Sequence, residues 1–158
     1  RDTARFLTSL KLLPLRPGDV ANLKVEHFKP RQSTLSIPAG KTKRREIVLG
    51  AQAAAHFRGC AKDKLPEAWL VSRDDGRQWR KEAWRDEIKI AAAAAKLPRA
   101  TCAYTIRHSV ITDLMTGTKL DLFTIAQISG TSVKMIELHY GKLRQERARA
   151  ALDALASM

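Results

Sequence analysis

Four segments place a charged or polar group where the surrounding pattern is otherwise structural. In Leu15-Arg16-Pro17-Gly18-Asp19, an arginine on the turn before a helix can add its planar fork to that helix's free amides and hold a phosphate oxygen. The plainer alternative pairs Arg16 with Asp19 at the surface. Gly40-Lys41-Thr42-Lys43-Arg44-Arg45 concentrates four cations at the tip of a two-stranded ribbon, a shape that can push charge into a DNA groove. Such a run is also an ordinary solvated loop. In Tyr104-Thr105-Ile106-Arg107-His108, Ile106 and Val110 anchor a helix whose start then holds Arg107 toward an anion. An ordinary basic helix face, with His108 hydrogen-bonded within it, accounts for the same residues. In Ile136-Glu137-Leu138-His139-Tyr140-Gly141-Lys142, Ile136 and Tyr140 share one helical face, which by itself describes a core tyrosine with its hydroxyl at the surface.

The elements that must carry these groups are mostly helical. Asp2 and Thr3 cap a helix bearing Phe6, Leu7, Leu10 and Leu13, closed by Pro14. Pro17 suits the first position of a short second helix, Asp19 its positive first turn, and Val20 and Leu23 its inner face. Leu35 and Ile37, then Ile47 and Leu49, alternate with polar neighbours as an antiparallel hairpin. A helix over 51–57 follows, then a third strand over Trp69 to Ser72 ended by an Asp75-Gly76 turn. Helical periods run through Trp84, Ile88, Ala91 and Ala95 to Pro98, and through Ile106, Val110 and Leu114 to Gly117. Asp121 caps a helix stopped by Gly130, Ser132 caps another to about Tyr140, and Ala148, Leu152 and Leu155 mark a separate last helix. The expected fold is mainly α with a small antiparallel β-sheet.

The 158 residues suffice for one domain with a buried core. Twenty-nine Lys and Arg against sixteen Asp and Glu leave +13, so a polyanion is the natural partner. Nucleic acid fits better than a membrane, because no apolar run approaches spanning length. Cys60 and Cys102 lack metal-ligand spacing and receive no chemistry, and a reduced, cytoplasmic, nucleoid-associated setting is expected. The chain opens within a helical pattern, which suggests that an upstream portion is missing.

Taken in order, the four segments resemble the tyrosine recombinase (phage integrase) family across nearly the whole chain. Leu15-Arg16-Pro17-Gly18-Asp19-Val20 resembles the family's Gly-Leu-Arg-x-x-Glu box, with Asp for Glu, and makes Arg16 the first catalytic arginine. Lys41 in Gly-Lys-Thr-Lys resembles the β-strand lysine. Tyr104-Thr105-Ile106-Arg107-His108-Ser109 resembles the His-x-Leu-Arg-His-Thr box, making Arg107 the second arginine, and Leu138-His139-Tyr140 resembles the segment of the nucleophile. Tyr104 stands where the box has its first histidine, and Thr131 where the family has histidine or tryptophan. A phenol with a pKa of about 10 is a poor proton acceptor at neutral pH, although both side chains can hydrogen-bond a phosphate oxygen.

The resemblance implies that residues 1–158 form a catalytic domain that lacks an upstream core-binding domain. It implies attack of Tyr140 on a DNA phosphorus, a 3′-phosphotyrosyl intermediate, and resealing by another strand's 5′ hydroxyl. Arg16 and Arg107 would stabilise the transition state and Lys41 would protonate the leaving oxygen, with no metal or cofactor. Lys43, Arg44, Arg45, His108 and His139 are expected to contact double-stranded DNA, with a tetramer forming on DNA and a monomer or weak oligomer off it. Two binding-only readings stand beside this one. They are an integrase impaired by its histidine losses, and a helix-turn-helix regulator built on residues 121–140.

Overall fold

The computed structural model describes residues 2–40 and 43–156, apart from the side chain of Arg144. Its α-helices are α1 (Asp2–Leu12), α2 (Pro17–Ala21), α3 (Ala51–Ala61), α4 (Lys81–Ala94), α5 (Ala103–Gly117), α6 (Leu122–Ser129) and α7 (Val133–Ala156). A sheet of β1 (Phe28–Lys29), β2 (Thr34–Ile37) and β3 (Arg45–Val48) lies between α2 and α3 in the chain, antiparallel in the order β1-β2-β3. The mainly α architecture with one small antiparallel sheet is as expected.

Helix α1 is the hub, packed against α2, α3, α4 and α5. Phe6 and Leu10 are fully buried on its inner face, each stabilising by roughly 1.5–3 kcal/mol. The Phe6 ring meets Trp79 at 5.1 Å and Trp84 at 5.6 Å between centroids. In the hairpin Leu35 faces Ile47 and Ile37 faces Arg45, so the period of two sends Arg45 and Ile47 to the same side.

Apolar burial divides into two clusters. One joins α1, α2, the sheet, α3 and the start of α4, and reaches Ala103 at the head of α5. The other joins Ile111 and Met115 of α5 to Ile125, Ala126, Ile136 and Tyr140 of α6 and α7. Helix α5 therefore belongs to both. The turn between α6 and α7 follows the expected capping: Asp121 Oδ1 accepts from the Thr124 amide at 2.8 Å, Gly130 takes the left-handed conformation at φ 66°, and Ser132 Oγ accepts from the Met135 amide at 3.2 Å.

Two elements differ from expectation. The Trp69–Ser72 segment is not a strand of the sheet, and the third strand is the two-residue β1. Trp69 forms only an isolated bridge with Lys24, while Lys64 Nζ donates to the carbonyls of Trp69 and Leu70 and to Ser72 Oγ at 2.9–3.0 Å. An ammonium thus occupies the acceptors that a neighbouring strand would have used. The two helices expected after Ser132 are one continuous helix of 24 residues, since a single interior glycine such as Gly141 costs a helix only about 1 kcal/mol and does not by itself end it. No helix among the described residues is long and apolar enough to cross a membrane.

Candidate active site

The chain segments bearing Arg16, Arg107 and Tyr140 meet where the two apolar clusters adjoin. A cavity of about 240 Å³ is lined by Arg16, Tyr104, Arg107, His108, Thr131, His139 and Tyr140, with Ile111, Met135 and Ile136 as its apolar wall. A second cavity of about 490 Å³ shares Arg16 and Thr131 and adds Lys43, Arg44 and Arg45. Together they form a cationic trough leading past the tyrosine. A further cavity of about 410 Å³ holds Arg73, Arg77 and Arg80 but no side chain suited to nucleophilic attack. The residues expected to act together therefore converge, except that Lys41 lies outside the described residues.

Arg107 sits on the second turn of α5, anchored by Ala103 below and Ile111 above. It is only 6% exposed, and its Nη1 donates to the carbonyl of Pro14, just beyond the end of α1. Burial, with a smaller contribution from the nearby positive charge of Arg16, lowers its pKa to about 10. It therefore stays cationic at neutral pH. Arg16 Nη1 is buried without a hydrogen-bond partner. An orphaned guanidinium hydrogen is costly unless an acceptor arrives, and two adjacent guanidiniums suit an anion. Helix α2 is a single turn, so the expected contribution of its amides is small beside these two side chains.

Asp19 is not the partner of Arg16. It pairs with Arg45, Oδ2 to Nη2 at 3.0 Å, the two side chains being 17% and 8% exposed. Arg45 Nε also donates to the Ile128 carbonyl at 3.4 Å. Arg45 was expected on the DNA-contacting tip; instead it is a strut joining β3, α2 and the end of α6. Its parity with Ile47 was the signal for this inward turn. Lys43 and Arg44 remain exposed at the mouth of the trough.

Tyr140 is 9% exposed, its ring packed with Ile136 in the second apolar cluster. Tyr140 nevertheless lines the cavity, and its hydroxyl hydrogen-bonds His108 Nδ1. Burial raises the phenol above its ordinary pKa, with Arg107 pulling the other way. His108 and His139 lie beside each other, ring centroids 6.2 Å apart. Burial, then His139, then Arg107 lower the pKa of His108, so the imidazole is neutral at pH 7. Tyr104 is half exposed at the rim, and Thr131 lies on the turn after α6. The contact of His108 with Tyr140 joins residues 32 apart in the chain. Among the described residues no group of three or more His, Cys, Asp or Glu is placed to hold a metal ion.

No family model matches the sequence, and no curated protein matches it. Solved structures do match in shape. XerA recombinase superposes with a TM-score of 0.71 at 16% identity, over 94% of this chain and 62% of that one. The Tn1549 transposon integrase in complex with transposon right end DNA gives 0.78 at 15% identity, over 96% and 58%. The integrase from mycobacterium phage Brujita gives 0.64 at 20% identity, over 81% and 42%. The chain thus spans about three-fifths of the first two, and its fold is that of a tyrosine recombinase catalytic domain.

Proposed function

We propose that this chain breaks and rejoins double-stranded DNA as a site-specific recombinase of the tyrosine type, with Tyr140 as nucleophile. The observation that carries the proposal is the cavity lined by Tyr140, Arg16 and the buried Arg107, with Arg16 Nη1 lacking a hydrogen-bond partner. Neither the core-tyrosine reading nor the helix-turn-helix reading gives those three groups a common purpose.

In this reaction the Tyr140 oxygen attacks a backbone phosphorus, a 3′-phosphotyrosyl ester forms, and the 5′ oxygen leaves. Charge gathers on the non-bridging oxygens in the transition state, where two fixed guanidiniums stabilise it without reorganising. Lys41 protonates the leaving oxygen, and Tyr104 and Thr131 donate hydrogen bonds to the phosphate. Lys43 and Arg44 hold the duplex through its backbone, and His139 borders the bound strand. The net charge of +13 supports a polyanionic substrate. The Tn1549 integrase and XerH recombinase structures with their DNA substrates support duplex DNA as that substrate. Assembly as a tetramer on DNA, and attachment of a core-binding domain upstream, belong to the same proposal.

The test is incubation with a pool of nicked duplexes of randomised sequence, followed by denaturing electrophoresis and mass spectrometry of the trapped species. A DNA adduct on Tyr140 is the expected result. Tight duplex binding without any adduct refutes the enzyme. It would leave the binding-only reading, which the absence of histidine at positions 104 and 131 favours.

A further inference from the structure

We infer that His108 is the proton acceptor for Tyr140, an imidazole supplied from the position after Arg107 to a site whose positions 104 and 131 carry Tyr and Thr. The inference rests on the strand-transfer reading and adds a role for one more residue. Attack by a phenol requires that its proton leave as the oxygen–phosphorus bond forms. Among the side chains lining the cavity, His108 holds the Tyr140 hydroxyl through Nδ1. Their ring centroids are 5.9 Å apart at 48°, a tilted approach that leaves the phenol oxygen on the edge of the imidazole.

The alternatives in the cavity are poorer. Tyr104 and Thr131 are weak bases, Arg16 and Arg107 carry no free lone pair at neutral pH, and His139 meets Tyr140 edge to face at 6.4 Å with no hydrogen bond to the phenol. The charged and titratable groups around His108 are Arg107 and Tyr104 on its own helix, His139 and Tyr140 on α7, and Arg16 from the loop before α2. None of the described residues lining that cavity is a carboxylate. The imidazole is therefore neutral before attack and an acceptor is available.

The proton balance closes in both directions. In cleavage the Tyr140 hydroxyl proton passes to His108 Nδ1, the tyrosine oxygen bonds to phosphorus, the bond from phosphorus to the 5′ oxygen breaks, and that oxygen takes a proton from Lys41. In rejoining, a 5′ hydroxyl gives its proton to Lys41 and attacks phosphorus. The bond to tyrosine breaks and His108 returns the proton to the phenolate. No redox change and no further reactant are involved.

The experiment measures adduct formation from the randomised nicked pool by the chain, His108→Ala and His108→Gln, with duplex affinity measured separately by anisotropy. Glutamine can accept the phenol hydrogen bond but cannot take the proton. Both variants should form adduct on the order of 10²-fold more slowly at near-native affinity, and added imidazole should partly restore His108→Ala. The native rate should rise with pH about a midpoint below the ordinary histidine value of about 6.5, and that limb should vanish in both variants. Native-like adduct rates in His108→Ala or full recovery in His108→Gln would overturn the base assignment while leaving strand transfer intact. No adduct from the unaltered chain overturns both.

Discussion

Replacing Gly130 by alanine tests the strut that holds the trough together. A Cβ at position 130 would lie 2.5 Å from Arg45 Cζ and 2.6–2.7 Å from its two terminal nitrogens. The guanidinium must then withdraw, although Asp19 and the Ile128 carbonyl hold it in place. The left-handed backbone at φ 66° costs an alanine roughly 1 kcal/mol. Separating the largely buried Arg45–Asp19 pair costs about 3 kcal/mol more. The sum of about 4 kcal/mol is a large part of the stability of a domain this size. With a urea dependence of ~2 kcal/mol per molar, the unfolding midpoint should fall by about 2 M. A double-mutant cycle with Arg45→Ala isolates the collision. In that background the glycine replacement should cost only the backbone strain, making the pair about 3 kcal/mol less than additive. A Gly130→Ala midpoint within ~0.3 M of native, or strict additivity, would show that Arg45 does not brace the turn.

Other outcomes follow from the same geometry. Tyr140→Phe should abolish the DNA adduct while leaving duplex affinity within a few-fold, as read by electrophoresis and anisotropy. Arg107→Lys keeps a charge but loses the fixed fork and the bond to Pro14, so the single-turnover adduct rate should fall on the order of 10²-fold. Four cations in the trough (Arg16, Lys43, Arg44 and Arg107) contacting phosphates give a slope of about −3.6 for log affinity against log salt; Lys43→Ala should reduce its magnitude by about one. His56, whose Nε2 is 2.9 Å from Ser9 Oγ, has its pKa lowered chiefly by burial. The unfolded chain then binds the proton first, so stability should decline as pH falls below about 6.5 and level off below the folded value. His56→Phe should flatten that decline in urea titrations.

Much of this molecule is readable in its residues, and the exceptions have physical causes. The Asp121, Gly130 and Ser132 signals act within one turn of chain, so the α6–α7 junction is legible locally. Strand β1 has two residues, too few to show alternation. The Trp69–Ser72 run has a strand's composition, but its carbonyls are taken by Lys64, a partner no periodicity reveals. At the site, Arg16, Arg107 and Tyr140 stand out through ordered motifs. The roles of Arg45 and His108 depend on which elements lie opposite them, Asp19 and Ile128 for one and Tyr140 for the other.

The division of the interior into two apolar clusters also bears on how this molecule breathes. Arg16 is carried by the larger cluster and Tyr140 by the smaller, with α5 and the bond from Arg45 to the Ile128 carbonyl of α6 spanning the seam. Helices α6 and α7 can therefore open as one cooperative unit at a free energy below that of global unfolding. Each such opening takes Tyr140 away from Arg16 while α1 to α4 stay native. Amide exchange should then show protection in α6 and α7 collapsing together, well before the hub helix yields.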